Sequence, residues 1–270
     1  MSARTALAAA TARFGFSDTP RLDAELLLAH ALGIERDRLL LTLDDQPTPF
    51  TFADLVDRRV NQEPVAYITG TRAFWTVDLN VAPGVLIPRA DSETLIEAAV
   101  AHFAGTAGPG SVLDLGTGSG ALLLAALDQW PDATGVGIDA SDAALVIARG
   151  NAERIAPGRA TIARGGWDGT GEAFDLILCN PPYVSSDAAL SDEVAQYEPA
   201  SALFAGPDGL DDYRVIAPLL RAQLAAGGVA CIEIGFDQGE TAAELFKAQK
   251  LNVVLRRDLA ARDRCLVVTP

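Results

Sequence analysis

SVLDLGTGSGALLLAALDQW, residues 111–130, is the stretch on which the fold turns. Its first five residues are a short apolar run of strand length, and Ser119 to Trp130 is an Ala/Leu run of helix length. DLGTGSG, Asp114 to Gly120, joins them without a break. Gly116, Gly118 and Gly120 allow a tight backbone turn and let a ligand approach the main chain, with Thr117 and Ser119 between them. No Lys-Ser or Lys-Thr pair follows, which excludes a P-loop, while Ala121 in the last position keeps a dinucleotide loop open.

Strands and helices alternate outward from this turn. ATGVGID (133–139) reads as a strand, and Ser141 starts a helix ending near Arg154. ATIAR (160–164), FDLILC (174–179) and GGVACIEI (227–234) read as further strands. Asp211 to Leu224 and Gln238 to Gln249 read as helices, and LNVVLRRD and RCLVVT close the chain as two strands. Seven strands in this alternation predict an α/β fold with a doubly wound, mostly parallel seven-stranded sheet. The short connection between the last two predicts an antiparallel edge.

On the other side the period changes. Val65 to Thr69 and Phe74 to Val81, rich in β-branched and aromatic residues and separated at Gly70, predict a β-hairpin. VAPGVLIPRADSE follows, with Asp91 or Ser92 as the N-cap of a helix running to about Phe103. Ser2 to Phe14, Pro20 to Leu32, Glu35 to Leu41 and Thr51 to Asn61 predict helices, the second stopped by Gly33. The expected organisation is a helical domain over 1–63, a hairpin linker over 64–84 and an α/β domain over 85–270. The helical unit serves either as a cap or as a partner-binding domain.

Composition narrows the function classes. Hydrophobic residues make up 49% and charged ones 21% of 270, a globular balance. Cys179, Cys231 and Cys265 are widely spaced and form no CxxC, against a disulfide framework or structural zinc and in keeping with a reducing compartment. With two His far apart, no metal site is expected. No apolar run reaches membrane-span length, and the N-terminal stretch is too weakly apolar for a signal peptide. A cytoplasmic protein, and a monomer, are expected. The net charge is −15, of which residues 81–270 carry −12. That body lacks the basic footprint of a protein gripping long nucleic acid, so no direct nucleic-acid partner is expected.

Two more features carry chemistry. Asp139 ends the strand after the glycine turn, where its two oxygens can accept both ribose hydroxyls of an adenosine; alternatively it caps the helix at Ser141. Turn and acid together indicate an adenosine-containing cofactor, either a nicotinamide dinucleotide or S-adenosylmethionine. Asn180-Pro181-Pro182-Tyr183 follows the FDLILC strand directly, which places it at the carboxyl edge of the sheet. The prolines fix the backbone and remove two N–H donors, leaving carbonyl acceptors. Asn180 adds an amide, and Tyr183 a flat face. The set suits a planar substrate bearing an NH₂ group.

DLGTGSG, Asp139 and NPPY together resemble a class I S-adenosylmethionine-dependent methyltransferase that methylates amino or amide nitrogen. NPPY is shared by adenine-N6 DNA methyltransferases and by the glutamine-N5 methyltransferases of peptide chain release factors. VLIPRADSE (85–93), AYITGTRAFWTVDLNVAPGVLIPR and QYEPASALFAGPDGLDDYR resemble segments of the second group, the PrmC/HemK family, as does the helical N-terminal unit. The resemblance covers nearly the whole chain. Ala90 stands where that family usually has Pro, and its Asp-Trp segment appears here as GGWDG.

The resemblance implies methyl transfer from S-adenosylmethionine to the N5 side-chain amide of the Gln in the release factor's Gly-Gly-Gln loop. It implies that Asn180 and the Pro181 carbonyl accept the amide N–H groups, with Pro182 and Tyr183 completing the catalytic, substrate-binding loop. Gly116 to Gly120 would face the methionine part of the cofactor, Asp139 the ribose and Trp167 the adenine, and Asn180 would touch the cofactor as well as the substrate. Adenine-N6 methylation of nucleic acid is the alternative. Phe74, Trp75 and Cys179 read as packing residues, Asp211 and Asp212 as helix caps, and Glu198 either as an acid that orients the insertion or as an exposed loop acid. Glu233, at a strand end, is a candidate to face the pocket.

Overall fold

The computed structural model describes residues 2–270, which fall into two compact units. The first comprises the chain up to Thr71 together with Ser191–Tyr197; the second comprises Arg72–Leu190 and Glu198–Pro270. These limits differ from a division at 63 and 84.

In the first unit five helices, α1 (Ala3–Arg13), α2 (Pro20–Leu32), α3 (Arg36–Thr42), α4 (Phe52–Val60) and α5 (Val65–Thr69), enclose Leu7, Phe14, Leu27, Leu28, Leu39 and Phe52. Ser2 caps α1, accepting the Thr5 N–H, and Gly33 ends α2 in the left-handed conformation. The buried Arg59 of α4 pairs with Asp23 at 2.9 Å and with Glu193 at 2.7 Å. Its charge is thus compensated on both sides, as burial requires. Glu193 arrives on α9 (Asp192–Tyr197), and Tyr197 Oη donates to the Asn61 carbonyl at 2.9 Å.

The expected hairpin is shifted. Val65–Thr69 is helix α5, closed by Gly70 at φ 76°, and the two-stranded sheet is β1 (Thr71–Phe74) with β2 (Val77–Asn80). Tyr67 and Ile68 are adjacent and both buried, a pattern of one helix turn that β-branched composition alone does not separate from a strand.

In the second unit α6 (Glu93–His102) precedes β3 (Ser111–Leu115), α7 (Ala121–Gln129), β4 (Thr134–Asp139), α8 (Asp142–Ile155), β5 (Ala160–Arg164) and β6 (Phe174–Cys179). Then come α10 (Asp211–Gln223), β7 (Leu224–Glu233), α11 (Gly239–Lys247), β8 (Asn252–Arg257) and β9 (Asp263–Thr269). The seven-stranded sheet runs β5-β4-β3-β6-β7-β9-β8, parallel except for the antiparallel pairs of β9 with β7 and β8.

Side chains alternate across the sheet as the pleat demands. Val112, Leu176, Leu178, Val229 and Cys231 join the layer of α6 and α7. Leu113, Leu115, Ile177, Cys179, Ala230 and Ile232 join that of α10 and α11. The strand order reverses at β3, with β4 on one side and β6 on the other, so a crevice opens beyond their carboxyl ends.

Candidate active site

The crevice is a cavity of about 470 Å³, within the size range of ligand sites. Gly116, Thr117, Gly118 and Ser119 line it from the β3–α7 turn, Asp139 from the end of β4, Trp167 from the loop after β5, and Asn180 and Pro182 from the end of β6. The turn is held from beneath. Asp114 Oδ2 accepts the Thr117 hydroxyl at 2.6 Å and the Leu123 N–H at 3.2 Å. Burial pushes this carboxyl up to about 7, and those two hydrogen bonds oppose the push. Gly116 stands at φ 71°, and a Cβ there would meet the Trp167 ring at 3.2 Å. Gly120 does not line the cavity as expected. At φ 87° it makes the bend into α7, of which it is the N-cap.

Asp139 accepts two backbone N–H groups, Gly118 on Oδ2 at 2.9 Å and Ser141 on Oδ1 at 2.8 Å. It therefore ties the glycine turn to the start of α8. The cap of α8 is Ser141, whose hydroxyl accepts the Ala144 N–H. A carboxylate has about four lone-pair sites, so Asp139 keeps capacity for two further donors. Trp167 is fixed by its indole Nε1, which donates to Asp212 at 2.9 Å, and by its carbonyl, which accepts from Gln223. Asp212 is therefore not a helix cap: Leu210 occupies that position, and no side chain caps α10. Burial raises the Asp212 carboxyl, and the indole bond opposes it.

A second cavity of about 120 Å³ adjoins the first. Arg89, Tyr183, Val184 and Leu203 line it, and it shares Leu86, Asn180 and Ala202 with the larger one. Asn180 thus borders both. Pro181 is buried and lines neither cavity. Asn180 Nδ2 donates to Ser92 Oγ at 3.3 Å, and Tyr183 Oη donates to Glu233 Oε1 at 3.2 Å. Burial, and then the neighbouring Glu233, drive the Tyr183 phenol upward. Glu233 itself is pushed by burial up to about 7.

Sequence reading missed several of these groups. Ser92 was expected as an N-cap; it sits there in helical conformation and caps nothing, its hydroxyl turned to Asn180 instead. Glu198 is no exposed acid: it is buried, paired with Arg89 at 2.5 Å. Phe74 is a core residue that also lines the larger cavity. The adjacency of Ser92, Glu198 and Asp212 to the site is created by chain reversal and left no local pattern. Among the described residues no metal-binding cluster occurs, and no helix is long and apolar enough to cross a membrane.

The strand order and a glycine turn facing an Asn-Pro-Pro-Tyr loop define the class: a methyltransferase of the class I fold. A methyltransferase from Pyrococcus furiosus shares the fold at TM-score 0.55 and 16% identity, covering 81% of this chain and 98% of that one. A ribosomal protein L11 methylase from Lactobacillus delbrueckii does so at 0.51 and 18%, covering 71% and 84%. Residues 5–70 match the PrmC N-terminal domain, and residues 91–199 the methyltransferase small domain. Release factor glutamine methyltransferase of Rhodospirillum rubrum is 42% identical over 93% of this chain and 79% of its own length. That of Xylella fastidiosa strain Temecula1 is 42% identical over 97% and 95%. The chain belongs to the release factor glutamine methyltransferase family.

Proposed function

We infer that this chain methylates the N5 side-chain amide of the glutamine in the Gly-Gly-Gln loop of class 1 peptide chain release factors, with S-adenosylmethionine as donor. The observation that carries the reading is Asn180 standing between two cavities, the larger built for a nucleoside and the smaller narrow enough for one side chain.

The larger cavity suits the donor on three counts. Asp139 retains acceptor capacity for two ribose hydroxyls after taking its two N–H groups. Trp167 is anchored at Nε1 and offers its ring to an adenine. The turn over Gly116 to Ser119 exposes backbone along the wall, where the methionine part would lie. S-adenosylmethionine bound there supplies a methyl group on a positive sulfur.

In this reading Asn180, which borders both cavities, accepts one N–H of the glutamine amide through Oδ1, the carbonyl of Pro181, a residue that lines neither, accepts the other, and the Tyr183 ring and Pro182 hold its plane. Charge builds on nitrogen as the methyl arrives, and acceptors on its two protons favour that charge. With the donor bound, the amide nitrogen would take the methyl while the electron pair of the broken carbon–sulfur bond stays on sulfur, and one proton would leave to water. Orientation supplies most of the acceleration, since effective molarities of about 10⁵ M or more are reached by well-placed partners. The same reading places the enzyme in the cytosol as a monomer that meets no nucleic acid directly, in keeping with its net charge of −15.

The test is transfer of labelled methyl to purified release factor, to its Gln→Ala loop variant and to adenine-containing DNA, side by side. Label on the factor but not on the variant is expected. Label on DNA alone overturns the reading in favour of adenine-N6 methylation. Asn180→Ala is expected to keep cofactor affinity and to lose about 10²-fold in turnover.

A further inference from the structure

Asn180 carries two atoms of opposite character, and the one that faces the acceptor decides whether the side chain helps or hinders. An amide N–H is accepted by Oδ1 but is opposed by the donor Nδ2. In the structure Nδ2 donates to Ser92 Oγ, and Oδ1 has no protein donor among the described residues. Ser92 alone does not enforce this arrangement. A hydroxyl both donates and accepts, so it would serve equally well with Oδ1 turned toward it. A third group must claim the hydroxyl's proton.

Glu233 meets that need. It ends β7 and is 1% exposed. Oε1 is taken by Tyr183, whereas Oε2 is sealed from solvent with no hydrogen-bond partner among the described residues. Asp91, the residue before Ser92, pairs with Arg264 at 3.3 Å, and Arg264 precedes Cys265, the register partner of Glu233, so Ser92 stands on the side of this carboxyl and opposes its upward shift. We propose that Glu233, Ser92 and Asn180 form a polarised hydrogen-bond chain in which Glu233 and Ser92 are positioning residues for methyl transfer. The carboxylate takes the Ser92 proton, Ser92 must then accept from Asn180 Nδ2, and Oδ1 is left facing the acceptor. The chain rests on the role given to Asn180 above.

Protonation of Glu233 removes the polarity. A neutral carboxyl can donate to Ser92, which is then free to donate to Oδ1 and turn the Asn180 NH₂ toward the substrate. The groups facing Glu233 fix where this happens. Tyr183 approaches from the loop after β6 and Cys179 from its last residue. Asp91 and Ser92 approach from the turn before α6. Tyr213 of α10 donates to the Glu233 main-chain carbonyl at 2.9 Å, and Cys265 of β9 lies opposite in the sheet. Arg264 of β9 is the compensating cation, shared with Asp91 at 3.3 Å and Asp258 at 3.4 Å. Burial outweighs Ser92, Arg264 and Tyr183, so the carboxyl titrates near neutrality, at about 7.

The experiment is kcat against pH for release factor methylation by the full chain, with cofactor Kd and thermal midpoint measured in parallel. The wild type is expected to gain activity as pH rises through the neighbourhood of 7. Ser92→Ala is expected to lose about 3- to 10-fold in kcat at pH 8, the worth of one net hydrogen bond, with cofactor Kd unchanged and the inflection gone. Ser92→Thr, which keeps the hydroxyl, is expected to restore both. Glu233→Gln can itself donate to Ser92, so it is expected to be flat and low across the range. It sheds a buried charge and is expected to fold even if Ser92→Ala does not. A wild-type inflection that survives in Glu233→Gln, or a Ser92→Ala variant with wild-type kcat, overturns the proposal. A wild-type enzyme that labels no release factor defeats the proposed function instead, and the two failures are distinguishable.

Discussion

Asp139 makes two backbone bonds before any ligand is considered, and this sets what its removal would do. Asp139→Ala releases the Gly118 and Ser141 N–H groups together with the acceptor for ribose. Cofactor Kd is expected to rise by at least about 10-fold, by titration calorimetry, since a hydrogen bond to a charged group contributes about 1.5–3 kcal/mol. Asp139→Asn, with one carbonyl oxygen left, is expected to fall between. Trp167→Phe keeps a ring and loses the anchor to Asp212, so a weaker cofactor affinity with unchanged kcat at saturation is expected. At this scale the sequence was informative wherever the chemistry lay in one local run. Asp139, the glycine turn and Asn180 announced themselves. Ser92, Glu198 and Asp212 did not, because each looked like an ordinary helix-end or loop polar residue, and its role comes from a partner distant in the chain.

Strand β4 shows how an element is shaped to leave room for a site. A Cβ on Gly137 would stand 2.7 Å from Thr117 Oγ1, 3.0 Å from Ile162 and 3.1 Å from Leu123. Thr117 in turn is bonded to Asp114, which also receives the Leu123 N–H. Gly137→Ala therefore presses on the turn from its strand neighbour. It is expected to lower stability by about 1–3 kcal/mol, the usual cost of overpacking, and to weaken cofactor binding with it. Urea unfolding and calorimetry on the same sample check both. Legibility at this scale followed periodicity. The seven strands and the helices between them were readable because each apolar run matched its element's length, even in β5 and β8, which hold no fully buried residue. Residues 65–69 were misread because five apolar and β-branched residues fit a helix turn as well as a strand, and only the left-handed Gly70 after them distinguishes the two.

For the molecule taken whole, two buried acids tie stability to pH. Asp114 and Glu233 are held at about 7 against ordinary values of 3.8 and 4.5, burial being the main cause in both. Between those ordinary values and about 7 the folded chain keeps protons that the unfolded chain has released. The contribution of these groups to stability therefore falls as pH rises through that window and stays low above it. Each can cost of order 3 kcal/mol at the alkaline end. The double variant Asp114→Asn, Glu233→Gln is expected to flatten the dependence of thermal midpoint on pH between 4 and 8 relative to the wild type; an unchanged slope would show that other groups govern it.

The first unit is not one continuous stretch of chain. Residues up to Thr71 need Ser191–Tyr197 to finish them, and with that segment comes Glu193, the second partner of Arg59. During synthesis the helical unit therefore emerges first yet stays incomplete until Tyr197 has cleared the ribosome, by which time β3 to β6 have also been made. An expression boundary placed at residue 71 would leave Arg59 with Asp23 as its single carboxylate partner. For a protein whose family is named for release factors, the order of its own translation is written into which helix arrives last.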